Sequence, residues 1–413
     1  MKKIFYNDII DEYKSCTPLS STYSEQARKY LPGGATRTLS FFQPYPPYID
    51  KGHGSKIIDV DGNERIDFFN NATSLILGHA YPSVVKAVTD QVIKGTAFHA
   101  PTLLEVDLAK ILCERIPSVQ KIRFANSGTE AVMFALMAAK VYTGKSKIGK
   151  FEGGYHGSCE HMCVSIHPDL KLAGSDEFPC AVPESSAISE NILSEVVVMP
   201  YNNIDAVEKI IKKEKDDLAC IIVEPMLGAG GIIPARKGFL NDLWQITKDN
   251  EILLIFDEVQ TFRNSSGGAQ KLCGVTPDLT ALGKIIGGGF PVGAIGGKKE
   301  IMDVFDSSAG KAKLPHGGTF NGNPITMAAG IATLQELSSR EYEKLEFLGD
   351  ILRSNLTQLI EKYNFKACVT GELSFFRIHF TRDEIWDYRT AIKAVSYTHL
   401  RAHETVLDLV CRL

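Results

Sequence analysis

The chain has no apolar run approaching the roughly 18 residues that a membrane-crossing helix requires. Its start, Met1-Lys2-Lys3-Ile4-Phe5-Tyr6-Asn7-Asp8, is basic but lacks the apolar stretch of a signal peptide. The expected location is therefore cytoplasmic, with no membrane partner. Strong charge of one sign is also missing. A formal net charge of −4 over 413 residues argues against a nucleic-acid partner. Nine cysteines include no C-x-x-C pair, as expected of reduced thiols in an intracellular protein. His156, Cys159, His161 and Cys163 fall close together, but so tight a run can hardly wrap a tetrahedron, and no metal is expected. Nucleotide motifs fail on spacing. Gly283-Lys284 has Asp at 278 and Ile285 after it, so it is no P-loop. Gly228-Ala229-Gly230 has Ile at 233, which breaks the dinucleotide fingerprint. No repeat of 20–50 residues is apparent.

What is present begins with Ile252-Leu253-Leu254-Ile255-Phe256-Asp257-Glu258, followed 27 residues after Asp257 by Lys284. Five apolar residues without alternation read as a strand buried on both faces of a parallel sheet. A carboxylate at its carboxyl end sits where open α/β sheets bind ligands. Lys284, beside Gly283 and shortly before Gly287-Gly288-Gly289, lies in a turn that lets backbone approach a ligand. Pyridoxal 5'-phosphate (PLP) needs this pair: an acid to keep its pyridine nitrogen protonated and an amine to form the Schiff base. Each residue alone reads more simply as a turn carboxylate or an exposed amine. The combination gives them meaning.

Two further segments support it. Arg123-Phe124-Ala125-Asn126-Ser127-Gly128-Thr129-Glu130 opens an apolar helix from Ala131 to Tyr142, and Ser127 with Glu130 has capping-box spacing. A helix start with free amides is also an anion site. Ser127 and Thr129 add hydroxyls, and Gly128 leaves room for phosphate oxygens. Phe151-Glu152-Gly153-Gly154-Tyr155-His156-Gly157 carries a glycine-flanked aromatic pair suited to stacking on a planar ring.

On these motifs the chain resembles the class III, fold-type I PLP-dependent aminotransferases, in the branch that holds glutamate-1-semialdehyde 2,1-aminomutase and the β-amino-acid transaminases. The resemblance spans about Leu31 to Phe380. It includes Leu31-Pro32-Gly33-Gly34, Leu77-Gly78-His79, Val223-Glu224-Pro225, Asp257-Glu258-Val259, Pro277-Asp278-Leu279, and Gly318-Thr319-Phe320 before Gly322-Asn323-Pro324. It implies that Lys284 carries PLP and moves the proton, and that Asp257 pairs with the pyridine nitrogen. Tyr155 and Val259 would cover the ring faces, His156 would belong to the same cofactor site, and Ser127, Gly128 and Thr129 would grip the phosphate. Glu224 would sit near the ring oxygen, and Thr319 would reach the phosphate of a neighbouring subunit in a homodimer. Arg37 resembles the arginine that binds a substrate carboxylate, which a planar guanidinium matches bidentately. Small amino and oxo acids are the implied substrates. Ala229 stands where aminomutases tend to carry Asn, and Gln260-Thr261-Phe262-Arg263 lacks a glycine they usually carry. Both features favour an intermolecular aminotransferase, with the aminomutase as the alternative. A PLP-binding fragment without turnover is a third reading.

The expected fold is α/β: a large domain with a mostly parallel sheet covered by helices, and a smaller α+β domain. Residues 1–65 should contribute to the small domain, 66–318 form the large PLP-binding domain, and 319–395 an incomplete small domain. Lys56 to Asp67 should be a hairpin turning at Asp61-Gly62. A helix should follow Pro324 as far as Leu337, and another should run from about Arg340 to Tyr363. Residues 396–413 depart from the family pattern and read as a non-native tail, which would leave the C-terminal lobe truncated.

Overall fold

The structure, a computed structural model, describes residues 6–394. The segment expected to be a non-native tail lies outside the described residues. Two compact units are distinguished, one up to Pro82 and one from Ser83 onward.

In the first unit, helices Tyr6–Cys16 and Pro18–Ala27 precede an antiparallel sheet of β1 (Ile49–His53), β2 (Lys56–Asp59) and β3 (Glu64–Ile66). The expected hairpin is β2–β3. Asp59 closes its turn by accepting from the amides of Asp61 (3.1 Å) and Asn63 (2.8 Å). Leu77-Gly78-His79 packs on this sheet. His79 and Gly54 exchange backbone hydrogen bonds of 2.8 and 2.9 Å, and a Cβ on Gly78 would lie 2.6 Å from the Gly54 carbonyl oxygen. Any side chain at 78 would separate the two segments.

Asn70–Thr73 forms a single turn in which all four residues have positive φ: 54°, 47°, 54° and 71°. This is a left-handed helical turn without glycine. Each such residue costs about 1–2 kcal/mol, least for Asn and most for a β-branched residue such as Thr73. Surrounding bonds hold the turn in place. The Asn70 amide donates to Asp67 Oδ1 (2.7 Å), the Thr73 amide to the Phe69 carbonyl (3.1 Å), and Asp67 Oδ2 pairs with His79 Nε2 (2.8 Å).

The second unit is built on a sheet of β4 (Lys121–Ala125), β5 (Lys147–Phe151), β6 (Val196–Met199), β7 (Leu218–Val223), β10 (Leu253–Asp257), β11 (Leu279–Gly283) and β12 (Gly293–Gly297). β8 (Met226–Leu227) and β9 (Ile233–Pro234) form a small separate pair, as do β13 (Cys368–Thr370) and β14 (Arg377–His379). The sheet order is β4-β12-β11-β10-β7-β5-β6. Every pairing is parallel except those of β12, which runs against both β11 and β4. Helix Gly128–Thr143 lays Ala131, Ala135, Ala138 and Ala139 against Ile222, Ile255, Ala281 and Ile295 on one face. On the other face Ile221, Val223, Leu254 and Phe256 meet Val207, Leu240 and Leu243. Burial on both faces is why β7 and β10 show no apolar–polar alternation. Helices Pro324–Glu336 and Ser339–Lys362 match the expected pair closely.

Candidate active site

The topology delivers the separated motifs to one edge. Asp257 is the last residue of β10, Lys284 follows β11, Glu224 follows β7, Tyr155 to Gly157 follow β5, and Ser127 follows β4. Because β12 is antiparallel to both β4 and β11, those two strands end on the same side as the rest of the sheet. This carboxyl edge is where α/β sheets bind ligands.

Packing joins the motifs. A Cβ on Gly128 would lie 2.9 Å from Val259, and one on Gly283 would lie 3.2 Å from the same side chain. Val259 is thus wedged between the helix start and the lysine turn, with room only for glycine at 128. Thr129 Oγ1 accepts from the Ser158 amide at 3.2 Å, which ties that helix start to the Tyr155-His156-Gly157 loop. Ser127 caps the helix as expected, accepting from the Glu130 amide at 3.1 Å. The reciprocal arm reaches one residue further back: Glu130 Oε2 accepts from the Asn126 amide at 2.6 Å.

Asp257 Oδ1 accepts from the Val259 amide (3.0 Å), and Oδ2 lies 2.8 Å from His156 Nδ1. The expected aromatic pair therefore parts. His156 is buried against Asp257, while Tyr155 stays 47% exposed, so only Tyr155 offers a ring face. Burial pushes the His156 pKa down, although Asp257 opposes that shift. His156 Nε2 is buried and has no hydrogen-bond partner among the described residues. Glu224 accepts from the amides of Tyr155 (3.0 Å) and Gly228 (3.2 Å). Burial, with the nearby Asp257 charge, raises its carboxyl to about 8. Lys284 has φ 51° and opens a 3-10 turn ending at Gly287. Burial lowers its proton affinity, Asp257 and Glu224 pull it back up, and Arg263 lowers it further.

Thr319 is exposed and lines a cavity of about 220 Å³ with Phe98, Glu105, Phe320 and Asn323. Its loop is tied back by Asn126 Nδ2, which donates to Asn321 Oδ1 at 2.8 Å. Arg37 belongs to the first unit, where it is exposed and its Nη1 donates to Asn71 Oδ1 at 2.8 Å. His161 pairs with Glu195 Oε2 at 2.9 Å, whereas His156 faces Asp257.

Sequence reasoning missed two supports of the aromatic loop. Lys150 is fully buried in β5, and its ammonium donates to the carbonyls of Gly154 (3.0 Å) and Val164, with burial lowering its pKa to about 8. The strand reads Lys147-Ile148-Gly149-Lys150-Phe151, and nothing in that pattern tells the buried lysine from the one at its start. Arg389 forks onto Glu152 (2.7 and 3.0 Å) and also reaches Asp176 at 2.7 Å. Its partner lies 237 positions away in sequence, so nothing local announces it.

The donor set fits PLP: a buried carboxylate, a buried amine of lowered proton affinity, an exposed aromatic face, and a helix start carrying hydroxyls. The sequence model of the aminotransferase class-III family matches residues 42–411. The chain belongs to the class III aminotransferases. The match reaches into the segment expected to be a non-native tail. As a member of this family the protein is a PLP-dependent enzyme. It is 43% identical over 368 residues to the glutamate-1-semialdehyde 2,1-aminomutase of Methanocaldococcus jannaschii, covering 89% of this chain and 84% of that one. An omega-transaminase from Sphaerobacter thermophilus superposes with a TM-score of 0.88 at 47% identity, covering 90% of this chain and 85% of that one. A beta-phenylalanine aminotransferase from Variovorax paradoxus gives 0.84 at 34% identity, covering 93% and 84%. Among the described residues no helix is long and apolar enough to cross a membrane.

Proposed function

We propose that the protein is an intermolecular aminotransferase whose amino substrate carries a carboxylate, with β-amino acids as the favoured class. The observation that carries this reading is the convergence of Asp257 and Lys284 on the buried carboxyl edge, with glycine at 128, where a side chain would collide with Val259. Bound there, PLP supplies an electron sink conjugated to the carbon that loses or gains the amine. Lys284 is its covalent anchor and then the proton carrier. Its amine, lowered in proton affinity by burial, takes the proton from the substrate carbon at Nζ and returns it. Asp257 would accept from the cofactor's ring N–H and keep that proton in place, with His156 bonded to its carboxylate. Tyr155 and Val259 would cover the ring faces, and Glu224 would lie by the ring oxygen. Ser127, Gly128 and Thr129 hold the phosphate. Thr319 completes the phosphate site of a second copy in a homodimer. Arg37 takes the substrate carboxylate.

Substrate choice draws on two relatives, the omega-transaminase and the beta-phenylalanine aminotransferase, and on Ala229 in place of an asparagine. A second reading, intramolecular transfer, is favoured by the aminomutase relatives at 40–44% identity. The two separate cleanly. A β-amino acid supplied with a 2-oxo acid should release a free oxo product, and conversion of glutamate 1-semialdehyde without any acceptor would favour the aminomutase. For the anchor, borohydride trapping of the cofactor-loaded protein followed by peptide mapping should find the pyridoxyl adduct on Lys284. An adduct on another lysine overturns the assignment.

A further inference from the structure

We propose that Asn71 is a positioning residue for Arg37: its side-chain amide, presented by the left-handed turn Asn70–Thr73, orients the guanidinium without neutralising it, leaving the positive charge for a substrate carboxylate. The inference rests on Arg37 being the carboxylate-binding residue.

The hydrogen bonds fix which end of the amide faces the arginine. Ser74 Oγ donates to the Asn71 carbonyl at 2.9 Å, so its proton is used and the oxygen is left to accept. Asn71 Nδ2 donates to that oxygen at 3.0 Å. The amide oxygen must therefore point the other way, and it accepts from Arg37 Nη1 at 2.8 Å. One of the five guanidinium donors is used, and among the described residues Arg37 pairs with no carboxylate. An acid at 71 would hold Arg37 equally well, but it would compete with the incoming anion.

The backbone sharpens the point. At φ 47° and ψ 57° position 71 would suit glycine, which cannot supply the acceptor. Four successive residues stand in this strained region, held by Asp67 and His79. Such outliers persist where the surroundings over-determine them and tend to mark functional places.

The test uses the full cofactor-loaded protein and two readouts. Calorimetry measures binding of 3-phenylpropanoate, a carboxylate with no amine to react. Kinetics compare 3-amino-3-phenylpropanoate with 1-phenylethylamine, which lacks the carboxylate. Asn71→Asp should weaken 3-phenylpropanoate binding and raise KM for the amino acid about tenfold, with kcat nearly unchanged and the amine unaffected. Asn71→Gly relieves the backbone, so it should fold at least as stably, yet weaken the same binding about threefold. Unchanged binding in Asn71→Asp, or equal losses on acid and amine, overturns the proposal. Arg37→Ala separates the two layers. If it leaves 3-phenylpropanoate binding intact, or if the wild-type protein does not bind that probe, the reading of Arg37 itself fails. If it weakens binding while Asn71→Asp does not, only the role of Asn71 fails.

Discussion

Lys284 and the Asn70–Thr73 turn both place residues other than glycine in the left-handed region, and they are held there by opposite means. Around Lys284 the restraint is packing. Gly283 and Gly128 close on Val259, β11 is buried throughout, and the lysine is the single strained residue of its turn. Around Asn70–Thr73 the restraint is hydrogen bonding to side chains, with Asp67, Ser74 and His79 doing what a core does elsewhere. A packed site fixes atoms and excludes water, which suits proton transfer. A hydrogen-bonded turn at the surface presents a side chain without burying it, which suits recognition of a charged substrate.

The largest effect is expected at Asp257, on the packed edge. Asp257→Asn keeps the shape but loses the negative charge that, in the proposed reading, holds the ring proton. Turnover should fall by about two to four orders of magnitude, while PLP still binds through Lys284 and the helix start. Absorbance titration with PLP and single-turnover kinetics would read the two effects separately. Near-normal turnover would mean that the strand-end carboxylate serves only the fold.

These two places differ in the same sense in how far they could be read from sequence. The packed edge leaves marks in the chain: an unbroken apolar run before Asp257, glycines beside Lys284, a capping pair at Ser127 and Glu130. Those marks arise because burial on both faces and close backbone approach restrict residue type. The left-handed turn leaves none, since Asn-Asn-Ala-Thr has no glycine and its conformation is imposed by Asp67 and His79 from outside. Lys150 and Arg389 were illegible for a related reason, because their partners are backbone carbonyls or residues distant in sequence. The aromatic pair was half legible. Sequence marked Tyr155 and His156 together, but only the strand geometry sends one outward and the other beneath Asp257.

A smaller effect separates the regions by pH. Glu224 belongs to the packed edge, and in the fold its carboxyl titrates at about 8 instead of near 4.5, chiefly through burial. The folded state thus retains a proton that the unfolded chain releases, so the stability of the cofactor-free protein falls as pH rises from about 4.5 to about 8. Glu224→Gln removes that dependence. The variant should match the wild type near pH 5 and exceed it by a few kcal/mol near pH 8.5, read as a higher thermal midpoint. A constant difference across this range would show that Glu224 is not held neutral by the fold.

The smallest predicted effect concerns Ala72, at φ 54° and ψ 45° in the middle of the left-handed turn. Glycine there removes a steric penalty of about 1–2 kcal/mol but gives back part of it through a freer unfolded chain and a lost methyl contact. Ala72→Gly should therefore stabilise the protein by about 0.5 kcal/mol. Its influence on recognition decides what the strain is for. The bonds from Asp67 to Asn70 and from Ser74 to Asn71 are untouched by the substitution. If they alone set the turn, KM for a carboxylate-bearing substrate should not change. If KM rises while the thermal midpoint also rises, the stiffness of the alanine-containing turn is itself part of how Asn71 aims Arg37. No comparable gain is available at the packed edge, where Gly128→Ala would drive a methyl group to within 2.9 Å of Val259.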